Sequence, residues 1–122
     1  MTEDTRNAAH RFYETLNRAL DSGDVSLLHP LLAPDVVDHN PTPGMAPGRE
    51  GVTRAFAELR AAFPDYRGTV EDLVVEGDKA ACRITGRMTH RGRQVEMHGI
   101  DILRFAGGVL VERWGVFEPP PA

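Results

Sequence analysis

Three short turn sequences divide the C-terminal part of the chain into four strand-like runs. The turns are Gly77-Asp78, Arg91-Gly92 and Gly107-Gly108. Glycine-containing pairs between runs rich in strand-forming residues are typical of tight hairpins. The runs cover residues 66–76, 79–90, 93–105 and 109–118. Together they predict four consecutive antiparallel strands, and this meander constrains the fold more than any other feature of the chain.

The N-terminal part of the chain has helical periodicity instead. Apolar residues recur at helical spacing over residues 4–21 and again over residues 49–63. Between these stretches, Asp24 is placed to cap a short helix and residues 35–40 resemble a brief strand. Helices followed by an antiparallel meander predict an α+β fold, and the length of 122 residues predicts one domain over residues 1–122.

The chain is acidic, with a formal net charge of −4 at pH 7 and no basic run. We therefore expect no nucleic-acid partner. Its one cysteine, Cys82, cannot form an internal disulfide, and its place in an alternating strand is typical of a small buried apolar residue. The first residues have no apolar signal core and no run approaches membrane-spanning length, so we expect a cytoplasmic protein without a membrane partner.

A single carboxylate, Asp101, interrupts the apolar face of the third predicted strand. Side chains alternate between the two faces of a strand, so Asp101 shares its face with residues that are otherwise apolar. These are Val95, Met97, Gly99, Leu103 and Phe105. A carboxyl in such surroundings is either a structural group satisfied by hydrogen bonds or the acid–base group of a site, and the pattern leaves both interpretations open.

The tight turn at Gly107-Gly108 sets the expected partner of Asp101. If Ala106 faces Val109, then Asp101 lies directly across from Trp114 on the same face. An indole that shields a carboxyl in an apolar recess should raise the pKa of that carboxyl. A raised pKa would allow Asp101 to hold and return a proton near neutral pH.

A tight turn at Arg91-Gly92 extends the same pairing to the preceding strand. It places Cys82 opposite Asp101 and leaves His90 close to the turn, at the rim of the site. A metal site would need His39, His90 and Asp101 to converge. No spacing typical of metal ligands supports such a site, and the predicted register opposes it.

The longest loop of the chain, residues 41–48, is rich in proline and glycine. Long irregular loops often cover binding sites, so we expect this loop to form the mouth of a pocket. The apolar stripes of the two helices would either line that pocket or fill the core beside it.

These features together resemble the SnoaL-like polyketide cyclases of the NTF2-like superfamily, and the likeness runs from the first helix to about Glu118. The matching segments are Pro-Asp-Val-Val-Asp-His-Asn-Pro at 34–41, Gly-Arg-Glu-Gly at 48–51, Ala-Phe-Pro-Asp at 62–65, Glu-Gly-Asp at 76–78, Thr-His at 89–90, Gly-Ile-Asp-Ile-Leu-Arg-Phe at 99–105 and Val-Glu-Arg-Trp at 111–114. Arg113 departs from the pattern, since a histidine often precedes the tryptophan in the family.

The resemblance implies a curved antiparallel sheet that surrounds a cone-shaped apolar pocket closed by helices, an α+β barrel. It also implies that Asp101 is the acid/base of an intramolecular aldol cyclisation without a metal or organic cofactor. His39 would be a second catalytic residue, which hydrogen-bonds a substrate carbonyl or relays a proton. The substrate would be a small hydrophobic or polycyclic molecule. Its expected binding residues are Trp114, His90, Asn40, Phe12, Leu16, Phe56, Leu59, Met88 and Leu103.

Two other functions stay open at this point. Relatives of the fold include epoxide hydrolases and isomerases, and addition of water by Asp101 usually calls for a second carboxylate and an arginine in the same pocket. On the predicted face, Glu112 is the only residue placed to help. The other possibility is a ligand-binding or interaction module without turnover, because a fold does not fix a function.

The sheet face opposite Asp101 is also predicted to be apolar. Its members are Ile100, Ile102, Val109, Val111 and Phe117, with Arg104 and Arg113 among them. An antiparallel sheet with one wet face should alternate cleanly to polar residues on that face. The helices can cover only the pocket side, so we expect two sheets to pair through this face in a homodimer or higher homo-oligomer.

Overall fold

A computed structural model describes residues 2–119, with side chains from Thr5 onward. The elements in chain order are helix α1 (Thr2–Ser22), a 3₁₀ helix (Val25–Leu31), strand β1 (Leu32–Asp38), helix α2 (Gly48–Ala62), and strands β2 (Arg67–Glu76), β3 (Lys79–His90), β4 (Arg93–Ala106) and β5 (Val109–Phe117). The α+β class is confirmed, and the four C-terminal strands lie almost where the turn sequences predict them. Residues 1 and 120–122, which the single-domain prediction includes, lie outside the described residues.

Helix α1 buries its apolar stripe against the inner face of the sheet. Phe12, Leu16 and Leu20 are buried on this stripe because they recur at helical spacing. The helix ends where Gly23 adopts a positive φ of 82° and donates its N–H to the Ala19 carbonyl at 2.9 Å. In the described part of the chain, no helix combines the length and the hydrophobicity needed to span a membrane.

The five strands form one mixed sheet in the order β1-β5-β4-β3-β2. Strands β2 to β5 pair as consecutive antiparallel hairpins. Strand β1 joins the sheet at its edge and runs parallel to β5, so the sheet is not wholly antiparallel. It begins at Leu32, earlier than predicted, because an edge strand tolerates Pro34, whose nitrogen cannot donate to a ladder.

Strands β3 and β4 pair in the predicted register. Cys82 lies opposite Asp101, and His90 pairs with Arg93 beside the turn. This pairing puts Asp101 on the buried inner face of the sheet, where only 6% of its surface is exposed.

A β-bulge at Val111 changes the register between β4 and β5. Phe105 pairs with Leu110 as predicted, but Arg104 pairs with Glu112. Val111 is therefore an extra residue in β5, and such a bulge moves all later side chains of its strand to the other face.

The bulge corrects the partner of Asp101. Asp101 lies opposite Gly115, whereas Trp114 lies opposite Ile102 on the outer face of the sheet. The predicted pairing of Asp101 with Trp114 is therefore wrong. Arg113 takes the inward position that the tryptophan was expected to hold.

The bulge also changes the composition of the outer face. Phe117 pairs with Gly99 and covers it, since a Cβ on Gly99 would lie 2.4 Å from the Phe117 ring. Phe117 and Arg113 therefore belong to the inner face, contrary to the prediction. Trp114 and Val116 take their places on the outer face.

Candidate active site

A cavity of about 530 Å³ lies between the helices and the inner face of the sheet. This volume is in the range of pockets that hold drug-sized molecules. Its lining is mostly apolar, and the loop of residues 41–48 contributes Pro41, Thr42, Pro43 and Met45 to it. Six of the expected substrate-binding residues line the cavity, namely Phe12, Leu16, Asn40, Phe56, Leu59 and Leu103.

Asp101 lines the same cavity and is held by two side chains. The Tyr13 hydroxyl donates to Asp101 Oδ2 at 2.7 Å. Arg113 donates to Oδ1 through Nη2 at 2.9 Å and through Nε at 3.1 Å. Both carboxylate oxygens are thus oriented by donors, and charge-assisted bonds of this kind are shorter and stronger than neutral ones.

Tyr13 comes from the apolar stripe of α1 and is itself buried. Burial, followed by the charge of Asp101, raises the pKa of Tyr13 well above its usual value of 10.0. The phenol therefore stays protonated near neutral pH and acts as a donor. Burial likewise raises the pKa of the neighbouring Cys82 thiol to about 11, so this thiol stays uncharged.

Arg113 bridges Asp101 and a second carboxylate, Asp38. Its Nη1 lies 3.1 Å from both Oδ1 and Oδ2 of Asp38. Asp38 is the last residue of β1, and the parallel pairing of β1 with β5 sets it beside Arg113. Burial alone would lower the pKa of Arg113, but the charges of Asp101 and Asp38 raise it. Two carboxylates and one guanidinium give this cluster a net charge of −1.

Gly115 makes room for the contact between Arg113 and Asp101. A Cβ at Gly115 would lie 2.4 Å from Asp101 Oδ1 and 2.6 Å from Arg113 Nη2. The N–H of Gly115 also donates to Asn40 Oδ1 at 2.9 Å, which fixes the Asn40 amide at the cavity wall.

His39 and Trp114 lie together on the outer face, away from the cavity. Their rings stack with centroids 4.6 Å apart and planes 7° apart. His39 Nε2 lies 2.9 Å from Glu112 Oε2, and Lys79 Nζ lies 5.5 Å from the indole centroid. His39 points outward because it follows the inward-facing Asp38 in the strand alternation. Neither ring lines the cavity, so the expected contact of His39 and Trp114 with a substrate there is wrong. No indole shields Asp101.

His90 and Met88 also lie outside the cavity lining. His90 packs against the edge of Phe63, with ring centroids 5.8 Å apart, at the turn end of β3. Met88 is fully buried in the core. Both lie too far along β3 from Cys82, the residue that faces Asp101, to reach the carboxylate.

The residues considered for a metal site do not converge. Asp101 faces the cavity, whereas His39 lies on the outer face and His90 lies at the β3–β4 turn. Within residues 2–119, no group of three or more His, Cys, Asp or Glu side chains is placed to hold a metal ion. Glu112, expected to assist Asp101, instead contacts His39 and Arg104 on the outer face.

The sequence did not predict three polar residues of this cluster as site residues, namely Tyr13, Asp38 and Arg113. Tyr13 carried a usable signal, because a tyrosine on a buried helical stripe needs a partner for its hydroxyl. Asp38 lies two residues from Val36 and so shares its buried face, which is also readable from alternation. Arg113 carried none, since only the bulge at Val111 turns it inward.

A family model described as SnoaL-like polyketide cyclase matches residues 9–119 of the chain. None of the curated proteins is similar enough to match. Among solved structures, a protein from Bacillus cereus described as a candidate polyketide cyclase is 30% identical, with a TM-score of 0.82, and the match covers 94% of this chain and 74% of that one.

Two Streptomyces proteins are similar over nearly their whole length. Wild-type IdmH from Streptomyces antibioticus, also described as a candidate polyketide cyclase, is 36% identical with a TM-score of 0.76, over 89% of this chain and 91% of that one. TsrD from Streptomyces laurentii is 30% identical with a TM-score of 0.75, over 93% and 90% of the two chains.

Proposed function

Because this chain belongs to the SnoaL-like polyketide cyclase family, we propose that it closes a ring in a polyketide-like substrate by intramolecular aldol condensation. Asp101 is the group that moves the proton. The observation that carries the proposal is an oriented carboxylate, 6% exposed, at the wall of an apolar cavity of about 530 Å³. Aldol chemistry of this kind needs no cofactor.

The reaction starts at a carbon between two carbonyl groups, whose C–H bond is already acidic. The Asp101 carboxylate takes this proton, and the resulting enolate carbon forms a bond to a second carbonyl carbon of the same molecule. The alkoxide produced takes the proton back from Asp101, so the product is an isomer of the substrate. The cavity contributes by holding the reacting carbons close together.

The neighbours of Asp101 keep it ready for this step. Arg113 offsets its negative charge, and Tyr13 fixes its second oxygen. The Asn40 amide, whose oxygen is held by Gly115, has its Nδ2 group available to donate to a substrate carbonyl. Asn40 therefore replaces His39 in the proposed role of carbonyl-binding residue.

A synthetic model substrate tests the proposal. Methyl 3-oxobutanoate carrying a 2-acetylphenyl group at C4 can close a six-membered ring between C2 and the acetyl carbon. We expect the protein to accelerate formation of the cyclised isomer, followed by chromatography, and Asp101→Asn to slow it about 10²- to 10⁴-fold while the fold is retained. A folded Asp101→Asn variant with wild-type turnover would remove Asp101 from the mechanism.

A second candidate, opening of an epoxide by water, gains support from one contact. This reaction was expected to need a second carboxylate and an arginine beside Asp101, and Asp38 and Arg113 supply both. Asp101 would take a proton from a water molecule while the oxygen of that water attacks an epoxide carbon. The alkoxide that forms would take this proton back from Asp101, and the product is a diol.

The two reactions make different demands on Asp38. In the aldol reaction Asp38 only orients Arg113, so Asp38→Asn should reduce cyclisation modestly. In epoxide opening Asp38 would be the second carboxylate that holds the attacking water, so Asp38→Asn should abolish hydrolysis of cyclohexene oxide, measured as diol formed in ¹⁸O-labelled water. Binding of both compounds without turnover of either would favour the non-catalytic module.

A further inference from the structure

The second tyrosine of the chain, Tyr66, occupies a slot on the inner face of the sheet. Its ring lies over Gly68 and Gly86, which face each other across β2 and β3. A Cβ at Gly86 would lie 2.6 Å from the Tyr66 ring and 2.8 Å from its hydroxyl oxygen. Because the two paired glycines have no side chains, they leave room for this ring.

The hydroxyl of Tyr66 is left for a ligand. Tyr66 is 7% exposed and lines the same cavity as Asp101. Its backbone N–H is bonded to the Phe63 carbonyl, but its hydroxyl makes no hydrogen bond to any residue in the described range 2–119. Every side-chain nitrogen or oxygen of those residues that is fully buried has a hydrogen-bond partner. The Tyr66 hydroxyl has none, so it is not fully buried and opens into the cavity.

We infer that Tyr66 is a substrate-binding residue, whose O–H donates a hydrogen bond to a carbonyl oxygen of an apolar ligand in the cavity. This inference adds a substrate-binding residue to the proposed function. It rests on that function only because it requires a substrate that carries oxygen. Tyr13 cannot take this role, because its hydroxyl is already bonded to Asp101.

The protonation state of Tyr66 suits a donor. Burial, followed by the charge of Asp101, raises the pKa of Tyr66 to about 12. The phenol therefore keeps its proton at every pH at which Asp101 can act as a base. Its influence is that of a fixed hydrogen-bond donor and not of a second base.

The charges of the cavity favour a neutral acceptor over an anionic one. Asp38, Asp101 and Arg113 are the charged side chains of the lining within residues 2–119, and their sum is −1. A ligand carboxylate would meet this charge with no cation left to pair with it, because Arg113 is already shared between two carboxylates. A ketone, ester or quinone oxygen carries no such penalty.

Two probes of the same shape test the inference. 9-Fluorenone and fluorene differ only in the carbonyl group of the central ring. We expect Tyr66→Phe to weaken fluorenone binding about three- to tenfold, the usual loss for one neutral hydrogen bond, and to leave fluorene binding unchanged. The carbonyl stretch of bound fluorenone should also move to higher frequency in the variant.

The opposite results would overturn the inference. Equal losses for both probes would mean that Tyr66 acts through its ring alone, and no loss for either would mean that its hydroxyl does not reach the ligand. Failure of the wild type to bind either probe would show that the cavity does not take neutral apolar ligands, and would overturn the inference as well.

A stability measurement checks the hydroxyl without any ligand. Tyr66→Phe should melt within about 2 °C of the wild type, because no bond within the protein is lost. Tyr13→Phe is the matched control and should melt several degrees lower, because it removes a donor from the buried Asp101. A Tyr66→Phe variant as unstable as Tyr13→Phe would reveal an internal partner and refute the inference. Neither probe binding nor melting depends on turnover. A failure of the aldol proposal can therefore be distinguished from a failure of this inference.

Discussion

The guanidinium of Arg113 lies 2.9 Å from the carboxylate of Asp101, deep in an otherwise apolar cavity. Sequence distance and pattern would have kept these groups apart, since simple alternation puts them on opposite faces of the sheet. The extra residue at Val111 brings them together. The proposed base of the site is therefore a carboxylate ion-paired with Arg113, and the indole that the sequence had suggested does not lie beside it.

Replacing Arg113 should expose the mutual repulsion of its two partners. Arg113→Met leaves Asp38 and Asp101 partly buried and uncompensated, which should lower the free energy of unfolding by about 3 kcal/mol.

Urea unfolding of the wild type and the variant near neutral pH measures this effect. Arg113→Lys is the control, because it keeps the positive charge and loses only the paired geometry. It should cost less than Arg113→Met near neutral pH. Equal stability of Arg113→Met and the wild type would mean that the cluster contributes nothing to the fold.

Gly115→Ala should disturb the site more than the fold. The new methyl group would lie 2.4 Å from Asp101 Oδ1, so the carboxylate or the Arg113 guanidinium must move. A misplacement of about 1 Å can cost about 10²-fold in rate, whereas the added bulk should cost about 1 to 3 kcal/mol in stability. Parallel assays of cyclisation and thermal melting separate the two effects.

The control for Gly115→Ala is Glu14→Ala, at an exposed position of helix α1. Surface changes of this kind usually alter stability by less than about 0.5 kcal/mol and should leave turnover unchanged. Wild-type turnover in Gly115→Ala would show that the carboxylate can shift without consequence, and that its position is not critical.

Glu112 should contribute stability that depends on pH in a definite direction. Hydrogen bonds from His39 and then Arg104 lower the pKa of Glu112 below its usual value of 4.5. A carboxylate whose pKa is lowered by folding stabilises the folded state above its unfolded pKa, and this contribution is lost as pH falls through the folded pKa.

The difference in stability between the wild type and Glu112→Gln should therefore be present near neutral pH and fade below about pH 4.5. Chemical denaturation at several pH values measures the difference. A gap that persists unchanged in strong acid would mean that Glu112 acts through packing and not through its charge. Asp35→Asn, at an exposed position of the neighbouring edge strand β1, serves as the control.

Much of the fold could be predicted because it depends on local signals. The turn at Arg91-Gly92 fixes the register that sets Cys82 opposite Asp101, and both the turn and the register are as predicted. The site residues of β3 and β4 could be placed from the sequence, but those of β5 beyond the bulge could not. The neighbours of Val111 in the sequence are Leu110 and Glu112, so no glycine or proline beside it marks a bulge.

The same limit explains the errors at His39 and Trp114. One extra residue in β5 turns Trp114 outward. Alternation along β1 already places Asp38 inward and His39 outward, but only the parallel pairing with β5 sets Asp38 beside Arg113. A parallel edge strand is a long-range pairing that no turn sequence specifies. The resemblance to a family located the pocket, and the residue-level roles required the actual register.

An apolar row crosses the outer face of the sheet and is left uncovered by the chain. Val74, Ala81, Ile102 and Trp114 are successive partners across β2, β3, β4 and β5. Val74 is 66% exposed and Ile102 is 39% exposed. The two helices lie on the other side of the sheet, so neither helix covers this row, and His39 stacks on the indole at its β5 end.

The flanking charges are already paired within the chain. Arg83 contacts Asp72, and Arg87 contacts Glu96. These charges therefore need no partner from a second subunit. Exposed apolar patches with polar rims are typical of subunit interfaces, and a twofold axis would set the row of one chain against the row of another.

We therefore expect a homodimer formed by the outer faces of two sheets. Sedimentation at micromolar concentration should give about twice the chain mass of 13.4 kDa, and Ile102→Glu should shift the protein to monomer because it buries a charge in the apolar row. Leu27→Glu is the matched control, since Leu27 is 40% exposed but lies on the 3₁₀ helix, away from the outer face. A wild-type monomer at high concentration, or equal dissociation by both variants, would mean that this face is not the interface.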